Sequence, residues 1–282
     1  MKTGLVLEGG AMRGIFTAGV LDYLLDKDIY FDYVVGVSAG SGNAVNFVSR
    51  QKERTRKVIM HEGADESYYG MSQVIEHKKL LNTETLVQEY ALKDIPYDFD
   101  AYFASETDNE SVILNCETGC AEYPGNYKDK DMFFKCNMAS CSVPFICEPV
   151  EINGNHYLDG SIMDSIPVAR AEEKGCDRIL VVMTKPEGSA PTDYSKMKRM
   201  IGHHYKKYPN LCKALLERKE NYKKQAAKLN ELVKEGKAMV IRPSEQMIGH
   251  FENDMDKLMA FYDFGYKTME EKFEEFKRFV SE

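Results

Sequence analysis

Gly36-Val37-Ser38-Ala39-Gly40 places a serine among small residues, with a β-branched run before it and a helix-forming stretch after it. A serine hydroxyl is a weak nucleophile until something activates it. A tight strand-to-helix turn exposes it, small neighbours permit that turn, and the helix N-terminus favours developing negative charge. The chemistry of such a serine is acyl transfer through a covalent intermediate. The bland alternative is a glycine-rich loop whose serine caps the next helix. Upstream, Glu8-Gly9-Gly10-Ala11-Met12-Arg13-Gly14 also lies between an apolar run and a helical pattern. Backbone N–H groups of Gly9, Gly10 or Ala11 could face an oxyanion there, with Arg13 adding positive charge. A tight turn without a ligand is the alternative. A dinucleotide fingerprint would need glycine where Ala11 stands and an acidic residue where the second strand ends in Gly36-Val37-Ser38.

An activated serine needs a proton acceptor. Six histidines, His61, His77, His156, His203, His204 and His250, sit in no recognisable motif. Asp159-Gly160-Ser161 ends a hairpin strand, where a glycine turn can pin a carboxylate beside a serine. A dry surrounding would raise the pKa of that carboxylate towards a useful range. By itself, Asp-Gly is most often a plain turn. Strand alternation sends residues 157 and 159 to one face and His156 to the other.

Periodicity outlines the elements that must carry these residues. Thr3–Leu7 reads as a buried strand, and a helix follows over 13–27 with Ile15, Ala18, Val20, Leu21, Leu24 and Leu25 on its apolar face. Tyr33–Val37 is the second strand, and the next helix carries Ala44, Val45, Phe47 and Val48. This βαβα order predicts a sheet of parallel strands with helices on its faces. Residues 51–98 read as helical with loops, 99–105 and 112–116 as strands, and 132–140 as a helix ended by Val143-Pro144. Residues 150–152 and 156–158 flank the hairpin turn Asn153-Gly154-Asn155, and 179–183 and 239–241 are further strands.

The character changes after about residue 190, where Leu211, Leu215, Leu216, Tyr222, Leu229, Leu232 and Val233 recur among lysines and glutamates as one long amphipathic helix. Met269, Phe273, Phe276 and Val280 repeat the pattern near the end. The expected organisation is a domain over 1–190 and a mostly helical extension over 191–282, packed on that domain or on a partner subunit. Its polar face mixes Glu and Lys, which disfavours attraction to anionic lipid.

A chain of 282 residues with 43% apolar and 29% charged residues can build its own core. The net charge of −8 argues against nucleic acid as the main partner. Seven cysteines without a CxxC pair are poor material for a disulfide framework or a zinc site. The N-terminus reads as a strand rather than a signal peptide, and no run approaches the ~20 apolar residues of a membrane span. The expectation is a reduced cytoplasmic protein that can touch a membrane surface without inserting. A homo-oligomer is compatible with these features.

In this order, the motifs resemble those of the patatin-like phospholipase family. Glu8 to Gly14 is similar to its oxyanion loop, Gly36 to Gly40 to its nucleophile elbow, and Asp159-Gly160-Ser161 to its D-G-[G/A] element. Met138-Ala139-Ser140-Cys141-Ser142-Val143-Pro144-Phe145 resembles its small-residue stretch ending in proline, and Ile166-Pro167 opens a helix as expected. The resemblance covers roughly residues 3–185. It implies a three-layer α/β/α fold, a Ser38–Asp159 dyad, hydrolysis of lipid acyl esters, and neither metal nor cofactor. The helical tail resembles that of bacterial members with a C-terminal extension. Ala11 replaces the family's usual third glycine, and Ser161 stands where Gly or Ala is usual. Two rivals stand beside this reading. One is an α/β-hydrolase triad in the order Ser38, Asp159 and then His203, His204 or His250, although its elbow normally follows more strands. The other is a lipid- or anion-binding module without turnover.

Overall fold

Short runs of β-branched and aliphatic residues, bounded by glycine or charge, become the strands of one sheet. The computed structural model describes residues 1–62, 68 and 82–281. The chain begins β1 (Thr3–Leu7), α1 (Gly14–Asp26), β2 (Tyr33–Val37), α2 (Ala39–Val48) and α3 (Arg54–Ile59). There follow α4 (Phe99–Ala104), β3 (Asp108–Asn115), β4 (Ala121–Glu122), α5 (Lys130–Cys141), β5 (Val150–Ile152) and β6 (Asn155–Asp159). The remainder is α6 (Val168–Glu173), β7 (Arg178–Val182), α7 (Lys198–His204), α8 (Pro209–Lys234), β8 (Ala238–Ile241) and α9 (Met255–Phe279).

The sheet order is β5-β6-β3-β2-β1-β7-β8, with β4 also paired to β3. The five strands from β3 to β8 along this path run parallel, and the β5-β6 hairpin and β4 join β3 antiparallel. Side-chain alternation divides each central strand between two cores. Leu5, Leu7, Val34, Leu180 and Val182 pack with α1, α2 and α9 residues such as Phe16, Phe47 and Phe261. Val6, Val35, Val37, Ile179 and Val181 face Val168, Tyr222, Leu229 and Leu232 of α6 and α8. Both faces are covered, which is why these strands read as unbroken apolar runs. The three-layer α/β/α arrangement, with its mostly parallel sheet and helical C-terminal region, is the fold the motifs imply.

The segment at 99–105 is not a strand. Asp98 accepts a hydrogen bond from the Ala101 N–H and caps α4, so the aromatic residues Phe99 and Tyr102 meet the core at helical rather than alternating spacing. Of the stretch 51–98, residues 63–67 and 69–81, including His77, lie outside the described residues. The region beyond residue 190 does more than add helices, because β8 extends the central sheet by pairing with β7. α9 lies across α1 at two glycines, where a Cβ on Gly19 or Gly265 would overlap the backbone of the opposite helix. No described helix is long and apolar enough to cross a membrane.

Candidate active site

Ser38 stands between β2 and α2 with φ 56° and ψ −127°, a conformation that a residue with a Cβ adopts only under constraint. The flanking glycines provide the room. A Cβ on Gly36 would overlap the backbone of Gly40, and one on Gly40 would overlap the Leu7 carbonyl. The Ser38 N–H donates to Ser140 Oγ at 2.9 Å, and that hydroxyl donates to the Val112 carbonyl at 2.8 Å.

Asp159 ends β6 on the far side of β3. Register explains the meeting: Val37 pairs with Val112, and Ile113 pairs with Asp159, so the residue after Val37 and the carboxylate flank the same point of β3. The Asp159 N–H donates to the Ser142 carbonyl at 2.9 Å. The stretch 138–145 therefore fastens both residues, through Ser140 on one and Ser142 on the other. Asp159 is only 3% exposed. Burial raises its pKa, while the Ser161 N–H and the hydroxyls of Ser38 and Ser161 pull it back. The Ser161 N–H lies 2.8 Å from Oδ1.

The glycine-rich turn arches beside the serine. A Cβ on Gly9 would sit 2.8 Å from Ser38 Cβ, and one on Gly10 would meet Thr184 Oγ1 at 2.5 Å. Ala11 takes φ 50°, a left-handed backbone that glycine would adopt without strain. Arg13 is buried, its terminal nitrogen lies 2.8 Å from His250 Nε2, and the Met12 N–H donates to the His250 carbonyl at 3.2 Å. Burial of that ring edge and the charges of Arg13, Lys185 and Arg218 push the His250 pKa down to about 4. His250 is thus neutral at pH 7, and because arginine can only donate, its Nε2 accepts and Nδ1 carries the proton.

Beneath the turn, Glu8 accepts from the Thr184 N–H at 2.8 Å, Tyr222 Oη at 3.1 Å and Lys185 Nζ at 2.9 Å. A cavity of about 150 Å³ opens from Ser38, walled by Met12, Val45, Ile59, Phe133 and Phe251 among other apolar side chains. Ser38 and Ala11 reach this cavity, whereas Arg13 lies behind the turn against His250.

The other described histidines have different partners. His61 bonds Tyr90 Oη, His156 bonds Glu117 at 2.9 Å on the outer side of its hairpin, and exposed His203 and His204 end α7. Sequence reasoning passed over Lys185, Arg218, Tyr222 and the placement of His250. Tyr222 reads only as part of an amphipathic stripe, the others stand alone in their stretches, and no spacing connects any of them to the elbow.

A family profile described as patatin-like phospholipase matches residues 5–171, and one described as a domain of unknown function (DUF6363) matches residues 208–281. The uncharacterized protein YjjU of Escherichia coli (strain K12) is 32% identical over 207 residues, covering 71% of this chain and 57% of that protein. The lysophospholipase NTE1 of Kluyveromyces lactis is 25% identical over 191 residues, covering 64% of this chain and 12% of that protein. The chain thus spans little more than half of one relative and a small part of the other. Among solved structures, VipD from Legionella pneumophila shares the fold with a TM-score of 0.50 at 12% identity, over 96% of this chain and 66% of that one. With its first profile matching more than half the sequence, and the elbow, turn and aspartate all inside that match, the chain belongs to the patatin-like phospholipase family.

Proposed function

We propose that this protein is a serine hydrolase of lipid acyl esters, with Ser38 as nucleophile and Asp159 as its general base. Ser38 Oγ attacks the acyl carbonyl as its proton passes to the Asp159 carboxylate. Asp159 then returns that proton to the departing alcohol, and water releases the acyl group by the same route. Backbone N–H groups of Gly9, Gly10 and Ala11 stabilise the tetrahedral oxyanion, with the Arg13 charge behind them. The apolar cavity at Ser38 takes the acyl chain. The observation that carries the reading is the strained Ser38 turn facing a buried carboxylate whose pKa is raised, the condition a base needs near neutral pH. Family membership and similarity to proteins named lysophospholipase support a lipid ester as substrate.

The direct test is labelling with a fluorophosphonate probe, followed by peptide mapping, beside hydrolysis of p-nitrophenyl esters of graded chain length. Label on Ser38, absent from Ser38→Ala, is the expected result. Label on another serine, with turnover surviving in Ser38→Ala, would refute it.

A further inference from the structure

The mostly apolar wall of the cavity at Ser38 is interrupted by one charge. Arg54 opens α3 and lines that cavity together with Asn46 of α2 and Tyr97. One of its terminal nitrogens donates to Asn46 Oδ1 at 2.9 Å, and the other donates to the Ile95 carbonyl at 2.7 Å. The guanidinium carbon lies 4.9 Å from the centre of the Tyr97 ring. About two turns of α2, or ~11 Å of rise, separate Asn46 from Ser38. The charge therefore stands along the cavity, away from the carbonyl that Ser38 would attack.

This cation has no counter-ion. Arg54 is 8% exposed and makes no ion pair among the described residues, whereas Arg56, two residues on, takes both Glu53 and Glu62. Burial pushes the Arg54 pKa down to about 10, with no carboxylate opposing the shift, so the side chain is still charged at neutral pH. Two of the five guanidinium N–H groups are used by Asn46 and Ile95, which leaves three, and Nε has no partner. A buried cation held only by neutral groups is costly, and an anion beside it offsets that cost. An acyl chain ending in a methyl group leaves Arg54 as it is. A chain ending in a carboxylate brings the missing charge and the acceptors that a guanidinium fork suits, in surroundings where little water screens the pair.

Building on the hydrolase reading above, we propose that Arg54 recognises a carboxylate at the far end of the acyl chain, so that the substrates include half-esters of long dicarboxylic acids. The methylene chain lies against Val45, Ile59 and Phe133 while its terminal carboxylate meets Arg54. The reaction is the same hydrolysis: the alcohol leaves first, and water then releases the dicarboxylic acid from Ser38.

The test compares the mono-p-nitrophenyl ester of nonanedioic acid with p-nitrophenyl nonanoate. The two share chain length and leaving group and differ in the terminal carboxylate. Wild type should show a kcat/KM on the half-ester at least equal to that on the neutral ester, although the carboxylate must shed water to enter the cavity. Arg54→Gln in the full-length protein should lose at least ~10-fold more kcat/KM on the half-ester than on the neutral ester, mainly through KM. Arg54→Lys, which keeps the charge, should recover part of the difference. Equal losses on both esters would overturn the proposal and make Arg54 a structural tie between α2 and Ile95. Should Arg54→Gln fail to fold, the wild-type comparison decides, and a lower kcat/KM on the half-ester overturns the proposal. Turnover of the neutral ester alone defeats this inference and spares the hydrolase reading, whereas turnover of neither defeats the reading beneath it.

Discussion

Two buried glutamates lie along the parallel strands, and their surroundings contrast. Glu110, near the start of β3, accepts from Arg170 through two nitrogens at 2.8 Å, from Lys174 at 2.7 Å and from Tyr33 Oη at 2.7 Å. Burial alone would raise its pKa, but hydrogen bonds from Arg170, Lys174 and Tyr33 hold it below the ordinary carboxylate range. Both carboxylate oxygens are satisfied and their cations are ion-paired. Glu8, just past the end of β1, sits instead beside more cations than it can pair, one of which has an unpartnered nitrogen. The first network is closed and belongs to stability. In the second, Thr184, Tyr222 and Lys185 satisfy both oxygens of Glu8, and the unpartnered group lies on the cation side, at Arg13 Nε.

The largest test of that contrast is Asp159→Asn. Turnover should fall by three orders of magnitude or more, because the amide keeps the shape but is a poor proton acceptor. Stability should move the other way. The raised pKa means the folded state holds its proton more tightly than the unfolded chain, so ionised Asp159 costs stability at neutral pH and the cost fades as pH drops through its folded pKa. Thermal melts at pH 7 should show Asp159→Asn at least as stable as wild type, by up to about 1 kcal/mol or ~2 °C. In wild type, the acid limb of kcat/KM should lie above the ordinary aspartate range. A limb at or below that range would contradict the assignment of the base.

Glu110→Gln should do the reverse. Removing the one carboxylate that Arg170 and Lys174 share leaves Arg170 with exposed Glu173 alone and Lys174 with Asp108 alone, a loss of about 2 kcal/mol measurable by urea unfolding. Because the wild-type carboxylate has a lowered pKa, its stabilisation is present at neutral pH and is lost as pH falls through that lowered value. The folded fraction should retain its kcat. A large drop in kcat without loss of stability would erase the distinction between the two networks.

The smallest effect belongs to Ala11→Gly. Relief of the left-handed backbone, worth about 1 kcal/mol, is offset by the added freedom of glycine in the unfolded chain, so the melting temperature should move by less than ~2 °C. Turnover should stay within about threefold, since the N–H donors remain. A tenfold change would show that the Ala11 methyl, which lines the cavity, shapes how the acyl chain binds.

What could be read without a structure was local. The elbow required small residues around Ser38, because Gly36 and Gly40 touch backbone there, and that need was already written in the pentapeptide. The central strands and the two long C-terminal helices were equally legible, since burial imposes its period on neighbouring positions. Asp159 was weaker: its own residues said only turn, and the ordered motifs raised it to a candidate. The segment 99–105 misled as a strand, because Asp98 caps a helix there and Phe99, Tyr102 and Phe103 recur at helical spacing. Only the tertiary structure could decide how β3 brings Ser38 and Asp159 to one point, how Ser140 and Ser142 fasten them, and how α8 and His250 return to the glycine-rich turn. These contacts join residues up to 238 positions apart. No local pattern encodes them, because each partner satisfies its own stretch of chain and the pairing arises only when the sheet and its covering helices close together.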